Sequence, residues 1–127
     1  MAITDQMISG VRSMRTAVPA RDYALSQRFY ATLGFAATTI APTLTEMRLG
    51  PYAFLLQDFY VAGFADNFVM HMIVDDVDAW WAHIEPLDLA ATFKVRPPMA
   101  PKVQSWGLKV LFLFDPAGVL WQIAQRP

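Results

Sequence analysis

The sequence predicts an α+β fold of two βαβββ modules, and three observations predict it. Two helix patterns, residues 22–33 (DYALSQRFYATL) and 76–87 (DVDAWWAHIEPL), each open on an aspartate placed to cap them. Each is preceded by one strand pattern and followed by three. An offset of 54 positions sets Asp22 on Asp76, Tyr30 on Ile84 and Leu33 on Leu87. Identities barely match across that offset, so the repeat is one of pattern. Neither half alone can bury both a sheet face and a helix stripe, so two four-stranded sheets are expected to curl around a shared space.

The elements follow in order. Residues 11–20 (VRSMRTAVPA) form a short strand stopped by Pro19. In the first helix Ser26, Phe29, Tyr30 and Leu33 share one face, and Gly34 stops it. Strands over 35–40, 44–49 and 52–57 are separated by Pro42 and the Gly50-Pro51 turn. Residues 58–67 are an aromatic loop joining a first module (about 11–57) to a second (about 68–125) within a single domain, 1–127. Residues 68–74 (FVMHMIV) are a strand. The second helix carries a stripe of Val77, Trp80, Trp81, Ile84 and Leu87, with Pro86 in its last turn. A weak strand over 90–95, a Pro-rich loop over 96–106, and strands over 107–114 and 119–125 complete the chain.

Composition narrows the function. The chain has 127 residues, 55% of them hydrophobic and 13% aromatic, which suffices for a core or a lined cavity. Net charge is −1 and basic residues are scattered, which argues against nucleic acid as a partner. There is no cysteine, hence no disulfide, thiolate metal site or Cys nucleophile. MAITDQMISG lacks the pattern of a secretory signal, and apolar runs fall far short of the ~20 residues of a membrane span. A cytoplasmic protein is expected. No G-x-S-x-G, P-loop or dinucleotide glycine fingerprint is present. Asp75, Asp76 and Asp78 read as helix N-terminal charge.

Three stretches resemble a known family. DYALSQRFYATLGF resembles the first helix of the vicinal oxygen chelate superfamily, with its D…FY…LGF signature. MIVDDVDAWWAHI resembles the entry to its second helix, and SWGLKVLFLFDPAGVLWQI its closing hairpin. The superfamily includes glyoxalase I, extradiol dioxygenases, fosfomycin resistance enzymes and bleomycin resistance proteins. The resemblance implies a cup-shaped, partly open eight-stranded barrel, and a homodimer.

The enzymes of that family hold one divalent metal in the cup. Carried over, the first ligand position, seven residues before Asp22, is Arg15, which cannot ligate. The equivalent before Asp76 is Val69, which has no donor. Four residues after Gly118 stands Gln122, and near the end of the fourth strand Gln57 is the donor available. Two amides, a valine and an arginine are a poor cage for a divalent ion, so no cofactor is expected. The alternative is one divalent metal ion in a rearranged site using His71, which lies two residues beyond Val69 and so on the same strand face.

The candidate ligand-binding residues are Arg15, Phe54, Gln57, His71, Trp106, Phe112 and Gln122. Arg15 is either an anion clamp or an arginine reaching to water at a strand end. His71 is either a pocket residue able to exchange a proton near neutral pH or a satisfied strand histidine. Trp106 ends the Pro-rich loop beside the cup's mouth. The resemblance points Phe112 inward, with Phe54 beside it. Trp121, next to Gln122, is expected to face the other way and pack under the helices, as are Trp80 and Trp81. Loops 58–67 and 96–106 are candidate lids, although Phe59, Tyr60 and Phe64 would equally suit a dimer contact.

The expected function is metal-free binding of a small, partly aromatic molecule in the cup. Bleomycin itself is cationic, and a host at −1 with an arginine in the cup offers it little attraction. The alternatives are a metal-dependent lyase, isomerase or dioxygenase of the same superfamily, or an assembly component whose cup serves only dimer packing.

Overall fold

A computed structural model describes residues 2–127. The first half contains α1 (Asp5–Ser9), β1 (Ala17–Pro19), α2 (Tyr23–Leu33), β2 (Ala36–Ala41), β3 (Leu44–Leu49) and β4 (Tyr52–Gln57). After α3 (Ala62–Ala65), the second half contains β5 (Val69–Ile73), α4 (Val77–Ile84), a 3₁₀ turn (Glu85–Leu87), α5 (Leu89–Phe93), β6 (Met99–Val103), β7 (Lys109–Phe114) and β8 (Leu120–Gln125). Two four-stranded sheets result, ordered β1-β4-β3-β2 and β5-β8-β7-β6. No strand of one pairs with a strand of the other among the described residues, so the eight-stranded arrangement is open. In each sheet the first strand lies parallel to the last of its own half.

The two main helices form where their caps place them. The Asp22 carboxylate accepts from the Leu25 N–H at 3.1 Å, and Gly34 ends α2 in the left-handed region at φ 118°. Asp76 accepts from the Ala79 N–H at 3.1 Å. Pro86 falls in the 3₁₀ turn, where its missing N–H costs little. Ser26, Phe29, Tyr30 and Leu33 of α2 are buried, as the spacing predicts.

Three assignments are corrected. Residues 11–16 have no regular structure, and the first strand begins only at Ala17. The strand expected over 90–95 is α5, because Leu89 and Phe93, four apart, are both buried on one helical face. The strand that replaces it, β6, lies inside the expected Pro-rich loop. It tolerates Pro101 because it is an edge strand, one side of which needs no ladder partner. The aromatic loop 58–67 also holds the single turn of α3.

One core serves both sheets. From the first half it takes Val18, Phe29, Tyr30, Leu33, Met47, Phe54 and Leu56; from the second, Val77, Ile84, Leu111, Leu113, Trp121 and Ile123. These are the helix-bearing faces of both sheets, and Phe54 meets Trp121 across them at a ring separation of 5.3 Å. The alternate residues of each strand therefore face away from this core.

A buried polar node holds the halves in register. The Tyr30 hydroxyl donates to Asp115 Oδ2 at 2.7 Å and accepts from Trp121 Nε1 at 2.9 Å. Asp115 Oδ1 accepts from the N–H groups of Ala117 and Val119 at 2.8 and 2.9 Å, shaping the D-P-A-G turn, and Gly118 supplies its left-handed residue at φ 93°. His83 Nε2 contacts the Leu33 carbonyl at 2.8 Å and ties α4 to the end of α2. Burial raises the Asp115 pKa above the usual carboxylate range, partly offset by these hydrogen bonds, and raises that of Tyr30 well above a free phenol.

Tyr30→Phe orphans both Asp115 Oδ2 and Trp121 Nε1. It should cost about 2–4 kcal/mol in urea unfolding, and an unchanged midpoint would show the node to be dispensable. A pH dependence follows from the Asp115 shift. Its folded pKa lies above its unfolded one, so its contribution is fully present below the unfolded value and is lost as pH rises through the folded one. The stability of the wild type relative to Asp115→Asn should therefore fall as pH is raised from the ordinary carboxylate range toward neutrality. A rise would contradict the shift.

Candidate functional site

The ladder places one row of residues across the second sheet. His71 on β5 pairs with Gln122 on β8, which pairs with Phe112 on β7, which pairs with Met99 on β6. Ladder partners share a face, so these four side chains stand together on the side turned away from the core. His71 and Met99 are exposed, while Gln122 and Phe112 are half-buried. Neither the Gln122 amide nor the His71 ring has a side-chain partner among the described residues, so both are free to bind something placed against the row. Beside it the Arg96 guanidinium lies 4.2 Å from the centre of the Phe114 ring.

On the first sheet the equivalent face carries Ala17, Leu55, Gln57, Glu46 and Arg48. Here the reading of Arg15 is corrected: it precedes β1 rather than lying on it. Its guanidinium donates to Glu46 Oε2 at 2.7 Å, while Arg48 Nε donates to Glu46 Oε1 at 3.0 Å. The Arg48 hydrogen bond and charge, with help from Arg15, hold the Glu46 carboxyl below its ordinary pKa. Gln57 ends β4 opposite Leu44 and is half-buried.

Phe54 lies on the core side of β4, the face opposite to that of Gln57. It reaches solvent through a cavity of about 370 Å³ at the seam where the first residues of β4 approach the β5 edge. This cavity is lined by Phe35, Leu49, Tyr52, Ala53, Phe54, Met70, His71, Met72, Ile73 and Trp121. Its walls are apolar and aromatic, with the His71 imidazole among them. Trp121 packs under the helices as expected, 4% exposed, and also closes this cavity.

Of the seven candidate residues, then, His71, Gln122 and Phe112 stand in one row, and His71 and Phe54 share one cavity. Gln57 stands on the other sheet's outward face, where the Arg15 side chain reaches Glu46. Trp106 is exposed in the β6–β7 connection and lines neither the seam cavity nor the arginine cavity that adjoins it. Five of the eleven residues of loop 96–106 form β6. In loop 58–67, Tyr60 lies near the Arg21 guanidinium and Phe64 packs on Phe68; neither lines the seam cavity. The sequence reading missed Tyr52, Met70 and Met72. It also missed Arg48, although Glu46 and Arg48 stand two apart around Met47 and so share one strand face.

His71 stands opposite Gln122 in the ladder, with Val69 two residues before it on the same strand face. The matching parallel pair of the first half, 54 positions before His71, is Ala17 opposite Leu55. Neither has a donor, and Glu46 is engaged by two arginines. No cluster of three His, Cys, Asp or Glu side chains exists among the described residues. One imidazole and one uncharged amide do not fit a resident divalent ion.

No protein-family model matches the sequence, and no curated protein matches it. Solved structures do share its fold. A bleomycin-binding protein complexed with bleomycin is 22% identical over 92% of this chain and 100% of its own, with a TM-score of 0.78. An antibiotic-binding protein from Streptomyces sp. CB03234 is 20% identical over 93% and 98%, TM-score 0.71. Lactoylglutathione lyase from Agrobacterium tumefaciens is 20% identical over 90% and 92%, TM-score 0.66. The paired-module fold implied by the three sequence stretches is thus the fold of this chain. No helix of the described residues is long and apolar enough to cross a membrane.

Wild type should show no saturable uptake of Ni²⁺ by calorimetry in the micromolar range. Gln122→Glu, which adds a charge beside His71, should bind at least about tenfold more tightly. Stoichiometric micromolar binding by the wild type would overturn the argument.

Proposed function

We propose that this protein, which has the fold of the bleomycin-binding and glyoxalase-like proteins, binds a small organic molecule without a resident metal. The observation that carries the reading is the seam cavity. It is large enough for a molecule of one or two rings, walled by Phe35, Phe54, Trp121 and two methionines, and edged by His71. Aromatic rings supply contact area, methionines adapt to shape, and the imidazole orients a polar group. Two of the similar structures bear names that speak of antibiotic or bleomycin binding, which favours a ligand-holding role over catalysis.

The reading includes a homodimer. The outward faces carry exposed Val69, Ile73 and Met99, apolar side chains that a second copy would cover. Such a partner would complete a cup over the His71–Gln122–Phe112 row, with Gln57 and Arg15 supplied from a first sheet and Trp106 at the rim. The lyase, isomerase or dioxygenase alternative would need a metal site, and the donor set speaks against it.

The test uses the neutral fluorophore N-phenyl-1-naphthylamine. It should bind saturably at one site per chain. Ile73→Trp, which fills the cavity from a partly exposed edge position, should weaken binding about tenfold or more while leaving the circular dichroism spectrum unchanged. No binding to wild type, or equal binding to both, would contradict the reading. Light scattering on the purified chain should report twice the monomer mass.

A further inference from the structure

A second cavity, about 260 Å³, adjoins the first and differs from it in chemistry. It is lined by Arg12, Ser13, Arg15, Arg48, Tyr52 and Ala53, among others. Three arginines line it, and one carboxylate, Glu46, answers two of them. Arg12 has no side-chain partner among the described residues. Each guanidinium has five N–H donors. Arg15 spends one on Glu46; Arg48 spends one on Glu46 and one, at 3.4 Å, on the Gly50 carbonyl. Most of the donors are therefore unspent, and the local balance of three cations against one anion leaves an excess of two positive charges in a protein whose net charge is −1.

We infer that this arginine-lined cavity is an oxyanion site, and that the molecule held in the seam cavity carries a carboxylate, sulfonate or phosphate group. The second half of that statement rests on the function proposed above; the first does not. The link between them is Tyr52 and Ala53, which line both cavities and form their common wall at the start of β4. A molecule lying over that wall places its rings against Phe54 and Trp121 and its charged end among the arginines. Glu46 positions rather than competes: by engaging Arg15 and Arg48 together it fixes the two planar groups so that their remaining N–H forks are ready for a bidentate oxyanion. Tyr52, 76% exposed at the rim, can move with the ligand.

Two probes separate the two halves. Inorganic phosphate, titrated while the side-chain Nε–H resonances of the arginines are followed by NMR, should shift those of Arg12, Arg15 and Arg48 saturably. Arg12→Ala should weaken that response several-fold. Absence of a saturable shift overturns the oxyanion site. The second probe is 8-anilinonaphthalene-1-sulfonate, which is N-phenyl-1-naphthylamine with a sulfonate added. It should bind wild type at least about tenfold more tightly than the neutral dye, and that preference should shrink toward unity in Arg12→Ala and Arg48→Gln and at high salt. Equal affinity of the two dyes for wild type overturns the ligand class. Phosphate shifts without binding of the neutral dye would leave the oxyanion site standing and sink the seam-cavity function instead.

Discussion

The structure depends on one buried interaction, the Tyr30 hydroxyl held between Asp115 and Trp121. Tyr30 belongs to the helix of the first half; its two partners belong to the last hairpin of the second. A buried carboxylate is costly unless donors surround it, and here a phenol and two backbone N–H groups do so. That requirement admits only one placement of α2 against the D-P-A-G turn. The aromatic cluster of Tyr30, Phe35, Phe54 and Trp121 then packs around the hydroxyl with ring separations of 4.9 to 5.8 Å. The two pseudo-repeated halves are thus locked through their helix-bearing sides.

Two consequences bear on function. The inner faces are filled, so the space the two halves share within one chain is core. The outer faces are left with an unpartnered row of His71, Gln122 and Phe112 on one sheet and an arginine–glutamate cluster on the other. Locking the inner faces also sets how closely β4 approaches β5. Around this seam lie the apolar and the basic cavities, separated only by the start of one strand. An aromatic lining on one side and a basic lining on the other follow from where the strands stop.

Much of this was legible in the sequence. Capping aspartates, helical stripes and the left-handed glycines announced both modules, because those signals act over a few residues. The alternation of β8 put Gln122 and Trp121 on opposite faces, as observed. What failed was local ambiguity or long range. Leu89 to Phe93 is too short to separate helix from strand by period, and Pro101 hid an edge strand. The pairing of Arg15 with Glu46 spans 31 residues, and the meeting of Tyr52 with Met70 and Met72 depends on how two sheets dock, which no local pattern encodes. That His71 rather than Val69 stands opposite Gln122 is a matter of strand register, which the ladder shows and no local pattern encodes.

The central claim is that the working site is the seam between the halves. The most direct measurement is a backbone amide shift map of the labelled protein on addition of N-phenyl-1-naphthylamine. The account predicts that the largest changes cluster at residues 52–54 and 70–73 and at the Trp121 indole. Changes confined to α1, or to the β6–β7 connection around Trp106, would contradict it.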